Sequence, residues 1–227
     1  MSETIIKALI AIVYGIILGI VTVPLSKKLA SSRTEDPGVL APLNKAYIKA
    51  GAVILGIGAS LGLMFTAKDY ALLIRNLAFL IPIFALSFVD AYVRKIPNSC
   101  LLSIMIGQVV YIIYNCITTK SPDIIPKVVF GFIFGMGVCL IPGILKIPMG
   151  AGDIKYSAVI GFTLYLLGYF ESMVIMAILI ALTYLYLKLT KKGGMKTLLP
   201  MGPFLSVGVV ISMCVPLGSF IGQSKLF

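Results

Sequence analysis

Apolar residues run along the chain in long blocks, broken by short polar stretches. A helix needs about 20 apolar residues to cross about 30 Å of hydrocarbon. Eight blocks approach or meet that length: Ile5–Leu25, Ala50–Thr66, Ala71–Val89, Leu101–Ile117, Val128–Leu145, Ile154–Phe170, Met173–Leu187 and Phe204–Ile221. Gly161, Gly168 and the short stretch at Glu171 blur the division between the sixth and seventh. The pattern predicts an all-α, polytopic membrane helix bundle of about eight transmembrane helices, one transmembrane domain over residues 1–227. The first block is too long for the apolar part of a signal peptide, and most of its flanking cations follow it. It is expected to be a retained helix. The longest polar stretch, Ser26–Lys49, contains Pro37, Gly38 and Pro42 and predicts a loop with amphipathic pieces.

Composition fits the bilayer reading. Hydrophobic residues make up 59% of the 227 and charged ones only 12%, and the mean hydropathy is +1.08. A soluble chain this short needs more polar surface than that. The net charge of +11 then calls for a reading other than nucleic-acid binding. The connections after the first, third, fifth and seventh blocks hold 13 lysines and arginines, and the opposite face holds 5, Lys7, Lys68, Lys120, Lys127 and Lys225. Arg75 lies inside the third block, near its outer end, where it is expected to snorkel. The positive-inside rule places the 13-charge face, including Lys27, Lys95 and Lys192, in the cytoplasm and both termini outside. Three GxxxG pairs, Gly15–Gly19, Gly58–Gly62 and Gly131–Gly135, predict close helix contacts.

The residue types available limit the chemistry. There is no histidine, which excludes Ser-His proteolysis and the HExxH zinc site. Cys100, Cys116, Cys139 and Cys214 form no CxxC pair, so no metal site is expected and they read as small buried hydrophobes. Of the eight carboxylates, Asp90 and Asp153 stand out. Asp90 ends the apolar run that starts at Leu77. Asp153 stands at the start of the sixth block, between Gly150, Gly152 and Lys155. Both fall on the cation-rich side at similar depth. An ionisable group at a membrane boundary must be hydrated, paired or functional. Two adjacent carboxylates share a proton, so one can activate water while the other polarises a carbonyl. The plainer alternatives are a helix N-cap for Asp153 and a helix-end charge for Asp90. Gly150 and Gly152 permit unusual φ values and close backbone approach. Lys155 can act on the carboxylates, bind substrate carbonyls or anchor the helix at the interface.

Three motifs resemble one family. Asp90-Ala91-Tyr92-Val93-Arg94-Lys95-Ile96-Pro97-Asn98 is similar to the first aspartate motif of type IV prepilin peptidases. Gly150-Ala151-Gly152-Asp153-Ile154-Lys155 resembles their GxGDxK motif, and Pro200-Met201-Gly202-Pro203-Phe204-Leu205 their late Pro-x-Gly-Pro-Phe-Leu signature. The last also reads plainly as a loop stop and helix start. The resemblance implies a GxGD-type membrane aspartic peptidase with Asp90 and Asp153 catalytic. It implies Gly150, Gly152, Lys155, Pro97 and Asn98 as substrate-binding or site-shaping residues. It implies cleavage of the basic leader of prepilins or pseudopilins beside an apolar helix, at the cytoplasmic face of the inner membrane, without cofactor, metal or nucleic acid. Val89 before Asp90 and the absence of a Pro-Ala-Leu motif set the chain apart from presenilin-like relatives. Ser26–Lys49 has no cysteine, so the resemblance is to the short form that lacks the zinc-binding domain, and the N-methyltransferase activity of bifunctional members is not expected. A secondary transporter using the two aspartates as proton or cation coupling sites is the alternative, although transporter sites lie nearer the midplane. An assembly scaffold would need neither aspartate.

Overall fold

The computed structural model describes residues 3–34, 36–67, 69–144, 150–191 and 199–215. All regular elements among the described residues are helical. Helix α1 spans Glu3–Ser31, α2 is a single turn at Pro37–Leu40, and a 3₁₀ turn follows at Ala41–Asn44. The long helices are α3 (Ala46–Thr66), α4 (Tyr70–Val93), α5 (Asn98–Thr119), α6 (Ile124–Ile144) and α7 (Ala151–Leu189), and α8 is Met201–Cys214. Six of these, α1 and α3 to α7, are long and apolar enough to cross a membrane, and α8 is a shorter apolar helix. The chain is thus a multi-pass helical membrane protein. The end of the predicted eighth block, and Lys68, Lys192 and Lys225, lie outside the described residues.

Helix α7 contains 39 residues, which at 1.5 Å each would reach about 58 Å, twice the hydrocarbon thickness. It does not run straight. Tyr165 has φ 58° and ψ −169°, and the chain turns back there. The contacts on either side show the reversal. Tyr156 bonds Ser206 of α8, three positions after Asp153 and four after Gly202, so the first arm runs parallel to α8. Beyond the bend, Ser212 donates to the Gly168 carbonyl, while an added methyl at Gly208 would meet Ser172, so the second arm runs antiparallel to α8. One helix therefore supplies the sixth and seventh expected crossings. Their division falls at Tyr165 instead of near Glu171.

The other helix directions follow in the same way. Ser60 of α3 donates to the Ala11 carbonyl of α1 at 2.7 Å. Gly15 and Gly19 press against the α3 backbone at Ile57 and Val53, so α1 and α3 are antiparallel. Tyr14 and Ser26 of α1 bond the carbonyls of Leu77 and Ala85, so α1 and α4 are parallel. Lipid offers helices no hydrophobic drive to associate, so small residues that admit close backbone packing take its place. Gly131 and Gly135 of α6 do this against Gly161 and Ser157 of α7. The Gly58–Gly62 pair is different: Gly58 has nothing within 4 Å of an added methyl, and Gly62 faces Cys214. Of the cysteines, Cys116 is only half-buried and the other three are buried.

Helix α4 is the central element. Leu80, Ile83 and Leu86 are buried in one cluster with Tyr156 and Ile160 of α7 and Leu205 and Val209 of α8. A second, smaller cluster joins Ala30, Leu43 and Val89, so the 3₁₀ turn after α2 packs beneath the end of α4 that carries Asp90.

Candidate active site

Three chain segments converge at one end of the bundle. The first is the end of α4. Its last residues turn at Arg94, which adopts a left-handed conformation (φ 54°) while its amide bonds the Asp90 carbonyl. The extended stretch that follows leads to Pro97, the N-cap of α5. Pro97 is buried and Asn98 and Ser99 are exposed.

The second segment opens α7. The helix begins at Ala151 with Gly150 as N-cap at φ −66°. Asp153 is therefore the third residue of the helix and not its cap. Its carboxylate accepts the Gly150 backbone N–H, the back-reaching arm of a capping box. The two glycines serve by lacking a side chain. A methyl at Gly150 would lie 2.7 Å from Asp153 Oδ2, and one at Gly152 would lie 3.1 Å from Ile96 Cβ. Ile96 of the first motif thus packs on Gly152 of the second.

The third segment opens α8. The Gly202 amide donates to Asp90 Oδ2 at 2.9 Å. This N–H is one that a helix start leaves without an intrahelical partner, and the positive end of the helix dipole points the same way. Asp90 is only 5% exposed, and an N–H aimed at it replaces the water it has lost. Asp153 is half-buried. The two carboxylates lie within reach of each other's charge. The charge of Arg94 also acts on Asp90.

Asp90, Asp153, Gly150, Gly152, Ile96 and Pro97 are thus brought together. Lys155 is exposed. With Asn98 it lines a groove between α5, α6 and α7. Arg94 and Gly202 stand inside motifs visible in the sequence; Arg94 lies one helical turn after Asp90, but the contact of Gly202 with Asp90 spans 112 positions and could not be read from spacing.

Arg75 departs from expectation. It does not snorkel but is buried at 7% exposure. Its guanidinium donates to Asn76 Oδ1 at 2.8 Å, Gln108 Oε1 at 3.1 Å and the Thr163 carbonyl at 3.4 Å. It also stacks on Tyr111, 4.7 Å from the ring centroid, and bonds Tyr165 at the bend of α7.

A family model, the type IV leader peptidase family, matches residues 77–195. The chain belongs to the type IV leader peptidase family. The match covers just over half of the 227 residues and includes both aspartates. The Gly202 motif lies beyond its end, and its link to the site is the hydrogen bond to Asp90. No curated protein and no solved structure was found to match the chain. Membership in the type IV leader peptidase family makes the chain a membrane peptidase.

Proposed function

We propose that the whole chain forms one aspartic endopeptidase domain that removes the short leader of prepilins or pseudopilins at the cytoplasmic face of the inner membrane. The observation that carries this reading is the meeting of Asp90 and Asp153, each holding a backbone N–H from a glycine of a family-like motif.

Like charges this close do not both ionise readily, so one proton is shared. The ionised carboxylate takes a proton from water as the water oxygen attacks the scissile carbonyl carbon. The protonated one donates to the carbonyl oxygen as it gains negative charge. The proton taken from water then passes to the departing amine, the C–N bond breaks, and a carboxylate and an amine leave. The Gly202 and Gly150 amides hold the two carboxylates in place. The rate falls at low pH, where both groups are protonated and no base remains. It falls at high pH, where both are ionised and no acid remains. The cytoplasmic side follows from the positive-inside rule, because Lys27, Lys28, Lys45, Arg94 and Lys95 share the Asp90 face. The missing CxxC pairs argue for cleavage without N-methylation. A transporter fits less well, because both aspartates stand at helix ends.

Asparagine at either position keeps size and removes the titrating proton. Asp90→Asn and Asp153→Asn should each lower the cleavage rate of a prepilin-like peptide by at least about 10²-fold. The double variant should be little worse than either single one, as for groups that act as a unit. A well-folded Asp153→Asn protein that cleaves at near the original rate would refute the two-aspartate mechanism.

A further inference from the structure

Beside the carboxylates, a groove of about 480 Å³ opens between α5, α6 and α7. Asn98, Ser99 and Lys155 line its end nearest Asp153, and Ile154, the next residue after Asp153, forms part of its wall. Farther from that end the lining is apolar, with Leu102 and Met105 of α5, Met136 of α6 and Ala158 of α7. Asn98 to Met105 covers two turns, about 10 Å along the helix axis. The groove therefore starts at the catalytic level and runs into the bilayer. Leu102 and Met136 are 58% and 39% exposed, so its side is open to lipid.

We infer that this groove seats the apolar transmembrane helix of a membrane-anchored protein substrate, with the end of that helix unwound between Asn98, Lys155 and Asp153. The inference rests on the peptidase reading and adds where the substrate lies. A peptide bond within a helix is shielded by its own hydrogen bonds, so the segment to be cut must become extended. Unwinding frees N–H and C=O groups, which are costly to leave unpaired at the edge of a bilayer. The polar end of the groove meets that need. Asn98 and Ser99 can both donate and accept, and Lys155 offers three donors. Among the described residues Lys155 makes no ion pair. The still-helical, apolar part of the substrate then faces apolar side chains, and Met105 and Met136 can adapt to different sequences. The order of polar then apolar lining, starting next to Asp153, matches a helix whose cut site is at its end. A lipid acyl chain would use the apolar part alone.

The test uses the full chain in liposomes, carrying Asp90→Asn so that substrate is held uncut. The probe is a synthetic peptide of a short basic leader followed by about 20 apolar residues. A photo-crosslinking amino acid is placed at Leu102 or Met136, or at the lipid-facing controls Ile54 and Ile178, which are 69% and 53% exposed. Adducts with the peptide should form at Leu102 and Met136 at least about fivefold more than at the controls. In the otherwise unmodified protein, Leu102→Trp and Met136→Trp narrow the groove. Each should raise KM at least about fivefold with kcat within about twofold, the signature of lost binding. Peptide adducts no stronger at the groove than at Ile54 and Ile178, or adducts to lipid only, would overturn the assignment. So would an unchanged KM in both tryptophan variants. Cleavage of the peptide by the unmodified protein is read separately. Cleavage without groove adducts sinks the groove alone, and groove adducts without cleavage uphold it and count against the peptidase reading.

Discussion

The Gly202 amide and the Asp90 carboxylate meet at 2.9 Å across 112 positions of sequence. The contact leaves no room for a side chain. A methyl at Gly202 would lie 2.6 Å from Asp90 Oδ2 and 2.8 Å from its Cβ. Backbone and carboxylate must then part. Gly202→Ala should therefore lower kcat by about 10²-fold, the usual loss for a reacting group displaced by about 1 Å. KM should change little. Steady-state cleavage assays on folded protein read this directly, and a kcat within twofold would show that the amide does not hold Asp90.

Arg75 carries a different kind of prediction, on stability. It ties α4 to α5 through Gln108 and to α7 through Thr163. Removing it leaves the Gln108, Asn76 and Thr163 oxygens without that donor and strips the cation from the Tyr111 ring. Losses of a few hydrogen bonds to a charged group total about 2–5 kcal/mol. Arg75→Met should lower the unfolding midpoint in detergent clearly, and Arg75→Lys by less, since one donor remains without the planar fork. Equal midpoints for all three proteins would show that the cluster contributes nothing.

The legible and illegible parts of the chain divide along physical lines. Crossing helices announce themselves because each apolar run is local, and the runs at Ala71–Val89 and Leu101–Ile117 correspond to α4 and α5. The two crossings of α7 were visible as two apolar runs, but the position of the reversal between them gave no such sign. It falls on Tyr165, neither glycine nor proline, whose φ is positive and whose side chain meets Arg75 from another helix. Arg75 itself misled for the same reason. Counting residues along α4 places it near an end and suggests snorkelling, whereas its partners at positions 108 and 163 are set by the fold. The aspartates were visible because a carboxylate at an apolar edge is costly wherever the helices go. Gly202 also stood in a motif, but only the packing of α4 against α8 shows that it touches Asp90.

Topology offers a check independent of catalysis. Lys27 and Lys95 lie at the same ends of the helices as Asp90, and Lys120 follows α5 at the opposite end. With cysteine at each position, a membrane-impermeant thiol reagent applied to intact cells should label position 120 and spare 27 and 95. The reverse pattern would put the carboxylates on the outer face and remove cytoplasmic leader cleavage from consideration.

The contact between α6 and α7 lies on the arm that carries Asp153, and it depends on glycine in a way that one pair of variants can expose. A methyl at Gly161 would collide with the backbone of Gly131, whereas one at Gly137, also on α6, would meet nothing within 4 Å. Both positions are helical, so both gain the same intrinsic benefit on changing to alanine, about 1 kcal/mol at most. At Gly161 that gain is opposed by overpacking, typically about 1–3 kcal/mol. Gly137→Ala should therefore unfold at the same or a higher midpoint than the original protein, and Gly161→Ala at a lower one. The variants should separate in activity as well. Gly161 lies eight residues after Asp153 on the same arm, so pushing α7 away from α6 shifts the carboxylate relative to Asp90. Cleavage by Gly161→Ala should fall several-fold while Gly137→Ala keeps its rate. If the two alanine variants match in both midpoint and rate, the backbones of α6 and α7 are not in contact at Gly131 and Gly161, and the placement of Asp153 must come from the other contacts of this arm, such as Ile96 on Gly152 and the packing of Tyr156 and Ile160 against α4.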